Sequence, residues 1–144
     1  MLVSEILRIK GTVLFTTPPD APVMDAVKVM AHNDIGSLVV MERGRMTGIV
    51  TFAEVLRALA EHGGTLGDLR ISAITERNPL TAAPAIDVNE LRRTMLDRHA
   101  RYVPVLDGNT LLGVVSFHDV AKAVLEEQSL ENEMLKHYIQ DAPA

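Results

Sequence analysis

Cysteine and tryptophan are both absent from the 144 residues. That excludes a disulfide frame, a thiolate zinc site and a cysteine nucleophile, and it fits a reducing compartment. Aromatic side chains are scarce, with three Phe and two Tyr, too few to line a stacking platform for single-stranded nucleic acid. No apolar run approaches the ~20 residues of a membrane-spanning helix, and no signal-peptide-like apolar stretch opens the sequence. Basic residues are outnumbered, 14 Lys and Arg against 19 Asp and Glu, for a net charge of −5. Binding driven by a phosphate backbone needs the opposite sign. The expectation is a cytoplasmic protein with no nucleic-acid and no membrane partner.

What remains is the composition of a packed domain, 47% hydrophobic and 23% charged. The negative charge gathers at the end, where Glu126, Glu127, Glu131, Glu133 and Asp141 face only Lys136. The body before it is close to neutral, so no general field repels an anionic ligand.

The dominant signal is an internal repeat. A shift of 65 residues superposes Thr16 on Thr81, Pro19 on Pro84, Val23 on Val88, Met30 on Met95 and Val40 on Val105. It also superposes Gly48 on Gly113, Val50 on Val115, Phe52 on Phe117, Val55 on Val120 and Ala58 on Ala123. Upstream, Val3–Leu7 echoes Ile71–Thr75 at an offset of 68. His62-Gly63-Gly64-Thr65 is the break between the units. By chain order the first unit is 1–65 with an N-terminal helix, the second is 66–125, and 126–144 is a C-terminal helical extension.

Each unit reads alike. Val23, Ala26, Val27, Met30 and Ala31 trace the stripe of an amphipathic helix, and Val88, Leu91, Met95 and Leu96 repeat it. Asp87 with Glu90 has the spacing of a capping box. Two β-rich runs follow, Ser37–Met41 and Met46–Val50 around Arg43-Gly44, or Tyr102–Leu106 and Leu111–Val115 around Asp107-Gly108. A second helix carries Val55, Leu56 and Leu59, or Val120, Ala121 and Val124. Short extended segments, Leu14–Thr17 and Leu80–Ala82, lead each unit. Two such units bury their apolar sheet faces against one another.

The chemistry-bearing element closes the last strand of each unit: Gly48-Ile49-Val50-Thr51-Phe52-Ala53-Glu54 and Gly113-Val114-Val115-Ser116-Phe117-His118-Asp119. A strand runs into a helix start, with a hydroxyl at the cap and a carboxylate three residues on. Free amides and the positive end of the helix dipole suit a phosphate there, and the carboxylate can accept from paired ribose hydroxyls. Thr-x-x-Glu is equally a capping box that satisfies the helix's own donors. Both readings stand at this point.

In this order, twice over, these elements resemble a tandem pair of CBS domains, the cystathionine-β-synthase-type regulatory repeat. The resemblance is carried by Arg101-Tyr102-Val103-Pro104-Val105-Leu106-Asp107, by Gly113–Val120, and by Gly48-Ile49-Val50-Thr51. It implies an α/β (α+β) fold of two β-α-β-β-α repeats packed with pseudo-twofold symmetry, and two clefts between them for adenosine-containing ligands. Carried across, Ser116 and Asp119 take the phosphate and ribose positions of the second site, with His118 beside them. Thr81 and Ala82 take its leading segment, and Arg101, Tyr102, Val103 and Pro104 its pre-strand loop. In the first site Thr51 and Glu54 take the cap positions, and Thr16, Thr17, Gly36, Ser37 and Leu38 the base side. Glu54 replaces the family's Asp and is long enough to fold back on Thr51. Val39 replaces the proline found at Pro104.

His118 reads either as a phosphate neighbour or as a solvated side chain. Ser116, His118 and Asp119 are too close in sequence to build a nucleophile–base–orienter triad. Arg101 aligns with Gly36 and is expected at one site only. Met24, Met30, Met41, Met46 and Met95 read as core filling, and Gly36 and Gly44 as turn glycines. Leu130, Met134, Leu135, Tyr138 and Ile139 form a stripe for a homodimer or partner interface; the alternative is packing back on Val3, Ile6 and Leu7.

The expected function is a regulatory module that binds AMP, ADP, ATP or NAD, or S-adenosylmethionine, and signals to an effector protein by changing conformation. No catalytic residue, catalytic cofactor or metal site is expected. The alternatives are an adaptor with non-binding pockets and a nucleotide-processing enzyme.

Overall fold

The structure, a computed structural model, describes residues 1–11 and 13–141, with side chains described through Tyr138. The elements run α1 (Val3–Lys10), β1 (Thr16–Thr17), α2 (Val23–Asn33), β2 (Ser37–Glu42), β3 (Arg45–Thr51) and α3 (Phe52–Glu61). A 3-10 turn (Ile71–Ala73) opens the second half, followed by α4 (Val88–Arg98), β4 (Tyr102–Asp107), β5 (Thr110–Ser116) and α5 (Phe117–Asp141). In the first sheet β1 pairs with β2 in parallel and β2 with β3 antiparallel; β4 and β5 form the second. The leading segment of the second half contributes one parallel bridge, Ala82 to Val105, where the first half has β1.

The repeat extends to fine detail. Register shifts fall between Val40 and Met41 and between Val105 and Leu106, 65 residues apart. The helices α2 and α4 end on left-handed residues Asp34 (φ 51°) and His99 (φ 53°), again 65 apart. A turn with positive φ at both Arg43 and Gly44 matches the right-handed twist of its flanking strands. Asp87 caps α4 unaided, accepting from the amides of Asn89 (3.0 Å) and Glu90 (3.3 Å).

Two apolar cores form, and each is completed by the other half's leading arm. Val3 and Ile6 of α1 join Val88, Leu91, Met95, Val103, Val115 and Val120. Leu66 and Ile71 join Val23, Met30, Leu38, Val40 and Val50. Matching backbone bonds tie the arms in. Val3 and Ser4 amides donate to the Ile86 and Pro84 carbonyls, and Ile71 and Ser72 amides to those of Ala21 and Pro19. Thus α1, grouped by chain order with the first unit, packs into the second core. The repeated glycines make room for these arms. A Cβ on Gly48 would strike the Glu76 carbonyl, and one on Gly113 would lie 2.8 Å from Leu7 Cδ2.

The structure refines the expectations at three points. Gly36 is a close-approach glycine rather than a turn glycine, because a Cβ there would collide with the Tyr102 hydroxyl. Met30 and Met95 are core, whereas Met24 is exposed. The C-terminal extension continues α5 without a break, and Leu130, Met134, Leu135 and Tyr138 are exposed rather than packed on Val3 and Ile6. The side chain of Ile139 lies outside the described residues.

Candidate ligand clefts between the repeats

Strands β3 and β5 bring the two halves together, and a cleft opens on each side of them. The larger, about 600 Å³, has the start of α5 on one wall, with Ser116, Phe117, His118 and Asp119. Opposite lie Leu14, Phe15 and Ile35–Ser37 of the first half, with Phe52, Arg101 and Tyr102 between, and Lys10 and Gly11 at one end. The smaller, about 370 Å³, joins Thr51 and Glu54 at the start of α3 to Pro79, Leu80 and Arg98–Tyr102.

The clefts are therefore assembled crosswise. Gly36 and Ser37, assigned with Thr51 from the sequence, stand with Ser116, His118 and Asp119. Arg101 and Tyr102, assigned to Ser116, border both clefts. This corrects the expectation that Arg101 serves one site. Thr16, Thr17, Leu38, Thr81, Ala82, Val103 and Pro104 line neither. Leu38 and Val103 are core residues, Thr17 is buried on β1, and Ala82 is held in its bridge to Val105. The cleft-lining residues of the leading segments lie upstream, at Leu14 and Phe15 and at Pro79 and Leu80. Their apolar character was the available signal.

Both caps close on themselves. In the first half the Thr51 amide donates to Glu54 Oε1 (3.1 Å) and the Ala53 amide to Thr51 Oγ1 (3.2 Å). In the second the Ser116 amide donates to Asp119 Oδ2 (2.9 Å) and the Asp119 amide to Ser116 Oγ (3.1 Å). The shorter Asp folds back as Glu does, so length alone does not free the carboxylate.

Asp119 carries a second partner. Lys10 Nζ, from the end of α1, donates to Asp119 Oδ2 at 2.8 Å and to the Val114 carbonyl at 3.0 Å. Burial pushes the Asp119 carboxyl up, but the bonds from Lys10 and Ser116 and the lysine's charge outweigh it and leave it below its ordinary value. Burial raises the Tyr102 phenol against the opposing pull of Arg101. The Arg101 guanidinium lies 5.4 Å from the centroid of the Phe52 ring. His118 is exposed at the cleft. The larger cleft thus offers an apolar wall, a capped helix start, two carboxylates (Asp34 and Asp119), Lys10, Arg101 and a histidine, the makings of a site for a sugar bearing an apolar base.

A family model described as CBS domain matches residues 3–61 and 71–126, and the chain belongs to that family as a tandem pair. Across 96% of its length it is 33% identical to the mitochondrial CBS domain-containing protein CBSX3 of Arabidopsis thaliana, covering 71% of that protein. A protein with CBS domains from Burkholderia ambifaria superposes with a TM-score of 0.82 at 29% identity, over 89% of this chain and 96% of that one. The CBS domain pair of MJ0100, solved with 5′-methylthioadenosine and S-adenosyl-L-methionine, superposes with a TM-score of 0.77 at 25% identity, over 88% and 98%. Among the described residues no helix is long and apolar enough to cross a membrane, and no group of three His, Asp or Glu gathers as a metal site.

Proposed function

We propose that the chain is a non-catalytic regulatory module that binds an adenosine-containing nucleotide, AMP, ADP, ATP or NAD, in the larger cleft. The supporting observation is that cleft itself, where Ser116 and Asp119 begin α5 opposite the apolar Leu14 and Phe15. Base against the apolar wall, ribose at Asp119 and phosphate near the α5 start is the placement these groups favour. The adenosyl compounds bound by MJ0100 support the same ligand class. Binding across two halves changes how they sit on one another, and an effector protein reads that change.

Thr51 and Glu54 form the lesser site, while the exposed stripe Leu130, Met134, Leu135 and Tyr138 supports a homodimer. The expected compartment is the cytoplasm. A second reading, an adaptor with non-binding pockets, draws on the self-satisfied caps at Thr51 and Ser116. Thermal melting separates the two. Ligand at ~100 times its dissociation constant adds about 2.7 kcal/mol to a protein that binds it only when folded. Unchanged melting with millimolar AMP, ATP, NAD and S-adenosylmethionine favours the adaptor.

A further inference from the structure

The two halves differ where their leading arms cross the sheets. In the first half the Ile49 carbonyl accepts from the Glu76 amide at 2.9 Å. The equivalent carbonyl of the second half, Val114, accepts from the Lys10 ammonium instead, and that ammonium also holds Asp119. At the 68-residue offset of the arms, Lys10 corresponds to Asn78, an uncharged residue at the smaller cleft whose backbone N–H donates to Glu76 Oε1 at 2.8 Å. A single lysine therefore gives the larger cleft a cation within hydrogen-bond distance of the carboxylate placed to take ribose.

We infer that Lys10 sets the ligand class of this cleft, selecting an adenosine that carries phosphate over one that is neutral or carries a sulfonium. The inference rests on the adenosyl reading above. A ribose at Asp119 crowds an ammonium that has only donors to offer, and the ligand displaces the water around the ion pair. A phosphate on that ribose lies within the swing of the four-carbon lysine stem and replaces the acceptor that the sugar takes away. Arg101 borders the same cleft and adds to the attraction, against which stands Asp34 on its lining. A neutral adenosine leaves Lys10 competing for Asp119. A sulfonium brings another cation toward Lys10 and Arg101.

Isothermal titration of the full chain with AMP, adenosine and S-adenosylmethionine tests this, on wild type, Lys10→Met and Lys10→Arg. Wild type is expected to bind AMP at least ~10-fold more tightly than either other ligand, the scale of one charge-assisted hydrogen bond. Lys10→Met is expected to lose roughly 10-fold for AMP, to leave adenosine unchanged or tighter, and to narrow the gap to S-adenosylmethionine. Lys10→Arg keeps the charge and most of the preference, and melting curves check folding. An equal loss for all three ligands in Lys10→Met, or S-adenosylmethionine binding wild type as tightly as AMP, overturns the inference while leaving the adenosyl reading intact. Binding of none of the three to wild type overturns this inference, and if ATP and NAD also fail to bind in the same titration the adenosyl reading falls with it.

Discussion

The rings of Phe52 and Tyr102 meet edge to face, with centroids 6.1 Å apart and planes at 88°. Phe52 follows the Thr51 cap of one half and Tyr102 opens β4 of the other, so the pair joins the halves between the two clefts. Gly36 lies against both rings, with no space for a side chain. Gly36→Ala is therefore expected to push Tyr102 out of place and destabilise the protein by about 1–3 kcal/mol, the usual cost of overpacking. Chemical denaturation measures it. A loss below the error of the method refutes the wedge.

The two acidic cap residues should separate under mutation. Asp119→Ala removes the carboxylate facing the larger cleft and is expected to weaken AMP binding by roughly 1.5–3 kcal/mol. Glu54→Ala is expected to act mainly on stability, by about 1 kcal/mol through the lost cap. Titration with melting controls decides the ranking. Tight binding that survives Asp119→Ala and disappears in Glu54→Ala reverses it.

Asp119 also predicts an acid response. Its folded-state carboxyl lies below the ordinary value of 3.8. The folded protein therefore takes up that proton less readily than the unfolded chain. The stabilisation is present above the unfolded value and is lost as pH falls through the folded one. The stability difference between wild type and Asp119→Asn should be flat near neutral pH and shrink below about pH 4. A difference that grows on acidification contradicts the sign.

Arm packing can be tested inside one helix. Ile6 is 5% exposed in the second core, and Ile9, three residues on, is 76% exposed. Ile6→Ala is expected to cost about 2–5 kcal/mol and Ile9→Ala within about 0.5 kcal/mol. Equal effects in denaturant titrations would show that α1 does not complete that core.

The apolar stripe of Leu130, Met134, Leu135 and Tyr138 is expected to help hold a homodimer. Met134→Glu with Tyr138→Glu changes two exposed positions. It should leave the melting of the body intact while lowering the mass seen by light scattering. Wild type that scatters as a monomer at high concentration refutes the dimer.

Much of this architecture is written in local pattern. The apolar stripes of α2 and α4, the Gly44 and Gly108 turns and the Thr51 and Ser116 caps each depend on residues within a few positions of one another. The 65-residue offset then locates the second copy of each. What local pattern does not carry is which half a side chain faces. The Lys10 contact to Asp119 spans 109 residues, and nothing around Lys10 sets it apart from a surface lysine. Arg101 aligns with a glycine, yet its position at the seam gives it two clefts. Thr16 and Thr81 stand on the leading segments one residue beyond the cleft-lining Phe15 and Leu80. Where an extended chain leaves a cleft and joins a sheet depends on register, which composition does not fix.

The exchanged arms have a consequence for how the chain comes to its native state. Neither half closes its own core, since Val3 and Ile6 leave the first for the second while Leu66 and Ile71 do the reverse. Residues 1–65 expressed alone would expose one apolar arm and lack another. The folding unit is thus the whole pair, reached only after contacts between distant parts of the chain have formed. The same exchange admits an intermolecular version, in which α1 of one molecule fills the gap in another and the Gly63-Gly64 link straightens to let it. Crowding during refolding would favour such swapped dimers, and dilution would favour the closed monomeric pair.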